Sequence, residues 1–383
     1  MRTKKIFWTL LVIVLIALFA GRGWWLYNHR ETDDSVVRVG VLSFLSGQYA
    51  EMGQDMTNGI ILAKDELNAS NPGFKIELII EDGKAKAKDS VNAFNKLLFQ
   101  DIQASIVTGD NQVPAVAPLI KEHKIPTVLT IIGNNEFLKY NQPETVMYKN
   151  YPQVSEHAQI FAKWILKNEP IKSVALLSVK TPYGDDSVHG FREGIQKEVN
   201  VTIHETFSGS ALDVKTPVVK VLATQPDAIF LTGYGSGYVA AINEIRQQGF
   251  KGKIFTDGSV KNPENKNRIK SFQDLIFFSH LSLEQNLSPM VKNFVSKYQE
   301  KFHKEPSDYA TCGYSSMMLL AEAIKQAHDK NPVAINEALR TIRSFETLYG
   351  NLTLHTDGLS SLPVMIGKMN PDGSFQLMEI VKE

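Results

Sequence analysis

Residues 36–68, VVRVGVLSFLSGQYAEMGQDMTNGIILAKDELN, change periodicity in mid-course. Val37, Val39 and Val41 alternate as β-branched positions and the apolar run continues through Leu42, Phe44 and Leu45, the pattern of a buried strand. Ser46-Gly47 breaks that run. Beyond it Met56, Ile60, Ala63 and Leu67 recur at helical spacing. A strand that feeds a helix through a Ser/Gly turn leaves free backbone N–H groups at the strand's carboxyl end, where open α/β sheets bind small ligands.

The segment ahead of this stretch differs in kind. Arg2, Lys4 and Lys5 precede an uncharged apolar run over 6–20, and Gly21-Arg22-Gly23 is followed by Trp24, Trp25, Leu26 and Tyr27. It reads as a targeting segment outside the fold, and its positive flank predicts that the rest of the chain lies outside the cytoplasm. Two fates stay open for residues 1–35, a signal peptide or a membrane anchor with its linker. Leu18 stands where a cleavage site prefers a small residue, which speaks against cutting, whereas the apolar run falls short of the ~20 residues that span a bilayer unless 21–27 are counted. In that case Trp24, Trp25 and Tyr27 form an interfacial belt. A lipid anchor is not expected, because the cysteine it needs is absent there.

Composition narrows the classes. With 383 residues, 43% of them hydrophobic, the chain can bury the cores of two or more domains. Its 41 basic and 41 acidic residues cancel, so no global field favours nucleic acid. Cys312 is the single cysteine, which rules out an intrachain disulfide; its setting, YATCGYSSMMLLAEAI, predicts a buried, inert thiol.

Strand and helix patterns then alternate: strands at 75–80, 104–108 and 126–132, helices at 89–99 and 113–123. Helical crossovers of this length imply parallel pairing. A second series starts near Tyr151, with helices at 155–167, 183–199, 214–223 and 237–248 and strands at 173–178, 201–206, 228–232 and 253–255. Two parallel sheets of similar size fit this better than one very wide sheet. The last third carries helices at 289–302, 308–328 and 332–343 and strands at 351–354, 364–368 and 375–381 with Asp-Gly turns, strands that can complete either sheet.

Enzyme signatures are missing. The nine His residues form no HExxH and no close His/Cys pair, and neither a GxSxG elbow nor a P-loop occurs. TGYGSGY at 232–238 with Asp257 beyond it loosely follows a dinucleotide fingerprint, yet Tyr238 stands where glycine is required. No catalytic residue, metal or cofactor is expected. Instead, polar or small residues mark six strand-end turns: Ser46-Gly47, Gly109-Asp110-Asn111, Gly133-Asn134-Asn135, Tyr183-Gly184, Tyr234-Gly235 and Thr256-Asp257-Gly258. If the two sheets face each other, these ends converge on one cleft. Backbone N–H groups there would receive a ligand carboxylate, Asp257 would pair with an ammonium, and the two tyrosines would cover the ligand. Taken alone, Asp257 reads equally as a helix N-cap, and each tyrosine as ordinary packing.

From Val36 to Val381 the order of motifs resembles the leucine/isoleucine/valine-binding proteins, the amino-acid branch of the type I periplasmic solute-binding proteins. The opening stretch resembles their first strand, LSG turn and first helix. PAVAPLIKEHKIPTVLT resembles their third helix and fourth strand, and TPYGDDSVHGFREG their second YG turn. GYGSGYVAAINEIRQQGF and YGNLTLHTDG complete the series.

The resemblance implies two Rossmann-like α/β lobes joined by three hinge strands near Tyr151, His280 and Asp357. One lobe is 36–151 plus 281–357, the other 152–280 plus 358–383. It further implies that Tyr183 and Tyr234 meet the ligand, that Asp257 binds its ammonium, that Asn134 takes the place of the family's threonine, and that Met52 lines the side-chain pocket. The family's carboxylate-binding serine falls on Gly109 or Asp110. An Asp there repels a carboxylate unless it points away or Asn111 bridges the contact, which opens the ligand class to amides, amines and ureas.

The function implied is extracytoplasmic capture of an amino acid or similar small polar solute, without catalysis, for an ABC-type permease. The alternative is a membrane-tethered sensor ectodomain.

Overall fold

The computed structural model describes residues 36–47, 49–133, 135–280 and 288–381. The targeting segment read in 1–35 and the site candidate Asn134 lie outside these residues. Among the described residues no helix is long and apolar enough to cross a membrane.

The first half alternates β1 (Val36–Ser43), α1 (Ala50–Ser70), β2 (Lys75–Asp82), α2 (Ala87–Leu98), β3 (Ala104–Thr108), α3 (Val113–His123), β4 (Thr127–Thr130) and β5 (Met147–Lys149). Its five strands pair in parallel in the order β2-β1-β3-β4-β5. Val37, Val39 and Val41 pack in one core with Met56 and Ile60 of α1, while Leu42 joins Phe94, Leu97 and Val116 in another. Burial on both faces is what a nearly unbroken apolar strand demands.

The second half continues with α4 (Val154–Asn168), β6 (Ser173–Val179), α5 (Pro182–Ile195), β7 (Asn200–Phe207), α6 (Lys215–Ala223), β8 (Ala228–Thr232), α7 (Gly235–Gln247), β9 (Lys253–Asp257) and β10 (Leu275–Ser279). Then come α8 (Pro289–Phe302), α9 (Asp308–Gln326), α10 (Pro332–Thr341), β11 (Ser344–Thr347), β12 (Gly350–Leu354), β13 (Ser360–Ser361), β14 (Val364–Met369) and β15 (Phe375–Val381). The second sheet runs β15-β14-β10-β9-β8-β6-β7, with β14 and β15 antiparallel at one edge. Helices α8 to α10 return to the first sheet, where Phe294, Leu320 and Leu339 share the core of Val37.

Several elements depart from expectation. β10, wholly buried, is a fully apolar LIFF run with no alternation to mark it as a strand, and β5 is only three residues long. The late strands divide: β14 and β15 complete the second sheet, whereas β11, β12 and β13 form a small sheet of their own. The sheets are accordingly unequal, with five strands against seven.

The chain passes between the two lobes after β5, after β10 and between β12 and β14. The first and third passages are laced together. Lys149 N–H donates to the Gly358 carbonyl (2.7 Å), the Tyr349 hydroxyl to the Asn150 carbonyl (2.9 Å) and Ser360 Oγ to the Tyr151 carbonyl (3.2 Å). The His280 ring lies 5.7 Å from that of Tyr151 and 5.0 Å from that of Tyr349. Burial lowers its pKa to about 4, so the imidazole packs there as a neutral ring near pH 7.

Helices α1 and α9 cross backbone to backbone. A Cβ on Gly59 would stand 2.0 Å from the Ala310 carbonyl oxygen, and one on Gly313 2.0 Å from that of Met56. Gly59→Ala should therefore force the helices apart and lower stability by ~1–3 kcal/mol, read as an earlier urea midpoint. An unchanged midpoint would mean that the crossing yields freely.

Candidate functional site

Four of the six strand-end turns, two from each lobe, meet at one small cavity of about 60 Å³. Met52, Gly109, Asp110, Asn111 and Gly133 line it from the first lobe, and Tyr183 and Tyr234 from the second. Phe44, Tyr49, Tyr151 and Tyr309 line it as well, and none of these four was among the expected ligand contacts. Tyr49 stands two residues beyond Gly47 of the opening motif, so its place beside the cleft was available in the sequence.

Local geometry explains these positions. Gly109 has φ +82°, and a Cβ on it would lie 2.8 Å from Phe44 Cε1, so both backbone and space select glycine. A Cβ on Gly133 would lie 2.6 Å from Tyr183 Cδ2, because the Tyr183 ring packs directly on that turn. Tyr49 and Tyr234 occupy the N-cap positions of α1 and α7, which brings two rings to the facing ends of two lobes.

The rings form a chain. Phe44 meets Tyr49 at 6.2 Å, Tyr49 meets Tyr234 at 5.6 Å, and Tyr234 meets Tyr183 at 5.6 Å, all edge to face. The central contact crosses from the first lobe to the second, so the lobes touch over the cavity. Burial, with the charge of Asp257 adding to it, pushes the Tyr183 hydroxyl well above its ordinary pKa, and it stays a neutral phenol.

Behind the turn after β4 lies Lys149, fully buried. Its ammonium donates to the Gly133 carbonyl (3.1 Å) and to Asn135 Oδ1 (3.2 Å). Burial lowers its pKa to about 8, against the opposing pull of Asp110, Asp186 and Glu156. Asp110 itself accepts the Gly133 N–H on Oδ1 at 3.0 Å, joining the turns after β3 and β4.

Asp257 lines a different, adjoining cavity. Tyr151, Tyr183, Ser259 and Tyr309 are common to the two. Its Oδ2 accepts from Thr232 Oγ1 (2.9 Å) and from Gly233 N–H (2.7 Å), and its Oδ1 caps the following helical turn through Ser259 N–H (2.9 Å). Burial raises its pKa, and those hydrogen bonds work against the rise. Close by, Lys261 of that turn pairs with Asp308 at the start of α9, a largely buried ion pair between the lobes. Cys312 is buried, and burial pushes its thiol up. Among the described residues no group of three His, Cys, Asp or Glu side chains is placed to hold a metal ion.

Two α/β lobes, three chain crossings and a cavity walled from both sides define a hinged binding protein. The Periplasmic binding protein family profile matches residues 36–374, and the chain belongs to that family. The Leu/Ile/Val-binding protein homolog 3 of Brucella melitensis is 22% identical over 335 residues, covering 85% of this chain and 89% of that protein.

The leucine binding protein LivK from Thermotoga maritima has a similar fold, with a TM-score of 0.81 at 23% identity over 90% of this chain and 99% of that one. A solute binding protein from R. palustris in complex with benzoate reaches a TM-score of 0.81 at 16% identity, covering 90% and 96%. Family membership implies an extracytoplasmic location.

Proposed function

We propose that this protein captures an amino acid or a related small, amino-bearing solute between its lobes and presents the closed form to an ABC-type permease. The observation that carries this reading is the Tyr49–Tyr234 contact over a cavity that both lobes line. A solute sealed beneath that contact stabilises closure by touching both lobes at once, and a partner that binds only the closed form thereby senses occupancy. The names of the relatives, leucine and Leu/Ile/Val binding, support an amino-bearing ligand. The moving units are 36–151 with 281–357 and 152–280 with 358–383. Met52, Gly109, Asp110, Asn111, Gly133, Asn134, Tyr183 and Tyr234 are assigned to the ligand. Asp257 is assigned to holding the turn that carries Tyr234.

A thermal-shift screen of the full-length protein against amino acids, amides, amines and ureas tests the reading. A ligand at ~100 times its Kd adds about 2.7 kcal/mol to the folded state and raises Tm. Tyr183→Ala and Tyr234→Ala should each weaken the hit ~10-fold or more by removing a buried wall. Parent-like binding by both variants would place the solute elsewhere.

A further inference from the structure

We propose that the cleft selects a small organic cation, an ammonium group on an apolar body without a carboxylate, with Asp110 as its counter-ion and Tyr49, Tyr183 and Tyr234 as its walls. This rests on the solute-capture reading above and narrows its chemistry.

The first observation is where Asp110 sits. Its Oδ1 already takes the Gly133 N–H, a donor that a ligand carboxylate would otherwise use at the turn after β4. The protein therefore carries its own carboxylate at that point, and a second one would stand against it with like charge. Two donors at helix starts across the cleft are likewise engaged. At the start of α7 the Gly237 N–H donates to the Gly209 carbonyl (3.0 Å), and at the start of α5 the Gly184 N–H reaches Thr181 Oγ1 (3.5 Å).

Charge points the same way. Among the described residues no Lys or Arg lines the cavity, and Asp110 is the one acidic side chain that does. Lys149 behind the turn does not reverse the balance, since Asp110, Asp186 and Glu156 all act on that single ammonium. The wider mouth of the cleft carries Glu51, Asp55, Glu264 and Glu305 against Arg268 and Lys304. The carboxyl of Glu264 of the second lobe is raised by burial and by the charge of Glu51 and Asp55 of the first, while Arg268, its ion-pair partner, works against the rise. Tyr49, Tyr183 and Tyr234 line the cavity as aromatic walls, the kind of surface that holds a desolvated ammonium.

Titration calorimetry on the full-length protein in detergent tests the assignment, with benzyltrimethylammonium and tyramine as cations, leucine as zwitterion and benzoate as anion. The cations should bind, leucine ~10-fold or more weaker, and benzoate not at all. Asp110→Asn should weaken the cations ~10–100-fold, as expected for loss of a buried charge partner. Should that variant not fold, Tyr49→Ala serves in its place, with a loss of cation affinity expected and circular dichroism as the check on folding. Leucine or benzoate binding in preference to both cations overturns the cation assignment and leaves solute capture standing. Equal cation affinity in a folded Asp110→Asn or Tyr49→Ala protein overturns it too. Silence to every solute of whatever charge, in calorimetry and thermal shift alike, sinks both readings.

Discussion

Lys149→Met should lower the unfolding free energy by about 1–3 kcal/mol, because it removes a buried donor and leaves the Gly133 carbonyl and Asn135 Oδ1 without their partner. Asp110, Asp186 and Glu156 all pull on this one ammonium, and its hydrogen bonds hold the Gly133 and Asn135 groups of the ligand-side turn. The variant should therefore lose both stability and order at that turn. The pH dependence has a definite sign. Lys149 titrates near 8 in the folded protein and at its ordinary 10.5 when unfolded, so across that window the unfolded chain binds more protons. The stability this site contributes is full above 10.5 and is lost as pH falls through about 8. Urea denaturation of parent and variant at about pH 7 and about pH 9.5 should show the gap widening at the higher pH. A gap independent of pH would mean that burial does not depress this ammonium.

The second large effect is expected at Asp257. Asp257→Ala removes the acceptor for Thr232 Oγ1, Gly233 N–H and Ser259 N–H in a residue only 2% exposed. Leaving buried donors unmet costs about 3 kcal/mol, and the loss should appear as a lower Tm without ligand present. Asp257→Asn keeps an acceptor oxygen and should fall between the two. A protein that keeps the parent's Tm but loses its ligand would make Asp257 a ligand group and its hydrogen bonds incidental.

These two residues also mark how far the sequence could be read. Helices Val113–His123 and Pro289–Phe302 and strand Phe375–Val381 declared themselves by their patterns, and Ala104–Thr108 and Ala228–Thr232, buried throughout, as short apolar runs set between helices. β10 did not, because the only α-helix separating it from β9 is the four-residue Pro263–Lys266, so the strand-helix alternation that marked the other buried strands is missing there. In the site, the turns rich in Gly, Ser and Tyr could be located, and seven of the nine expected residues meet at one cavity. The direction of Asp257 could not, since an acid at a strand end caps a turn or faces a ligand according to its neighbours. Here Thr232 and Gly233, from the adjacent strand end, take one oxygen and Ser259 the other. Lys149 escaped notice because nothing in MYKNY marks a lysine whose partners lie in Gly133 and Asn135, well upstream in the chain.

The ion pair of Lys261 with Asp308 bears on timing. It ties the turn after β9 to the first turn of α9, so the lobes cannot swing apart without returning both charges to water. Part of the barrier to opening then belongs to the protein and is the same for every solute. Residence times consequently share a common floor across ligands of different affinity. A docking surface that offered a counter-charge to either residue would shorten the dwell without touching the cavity.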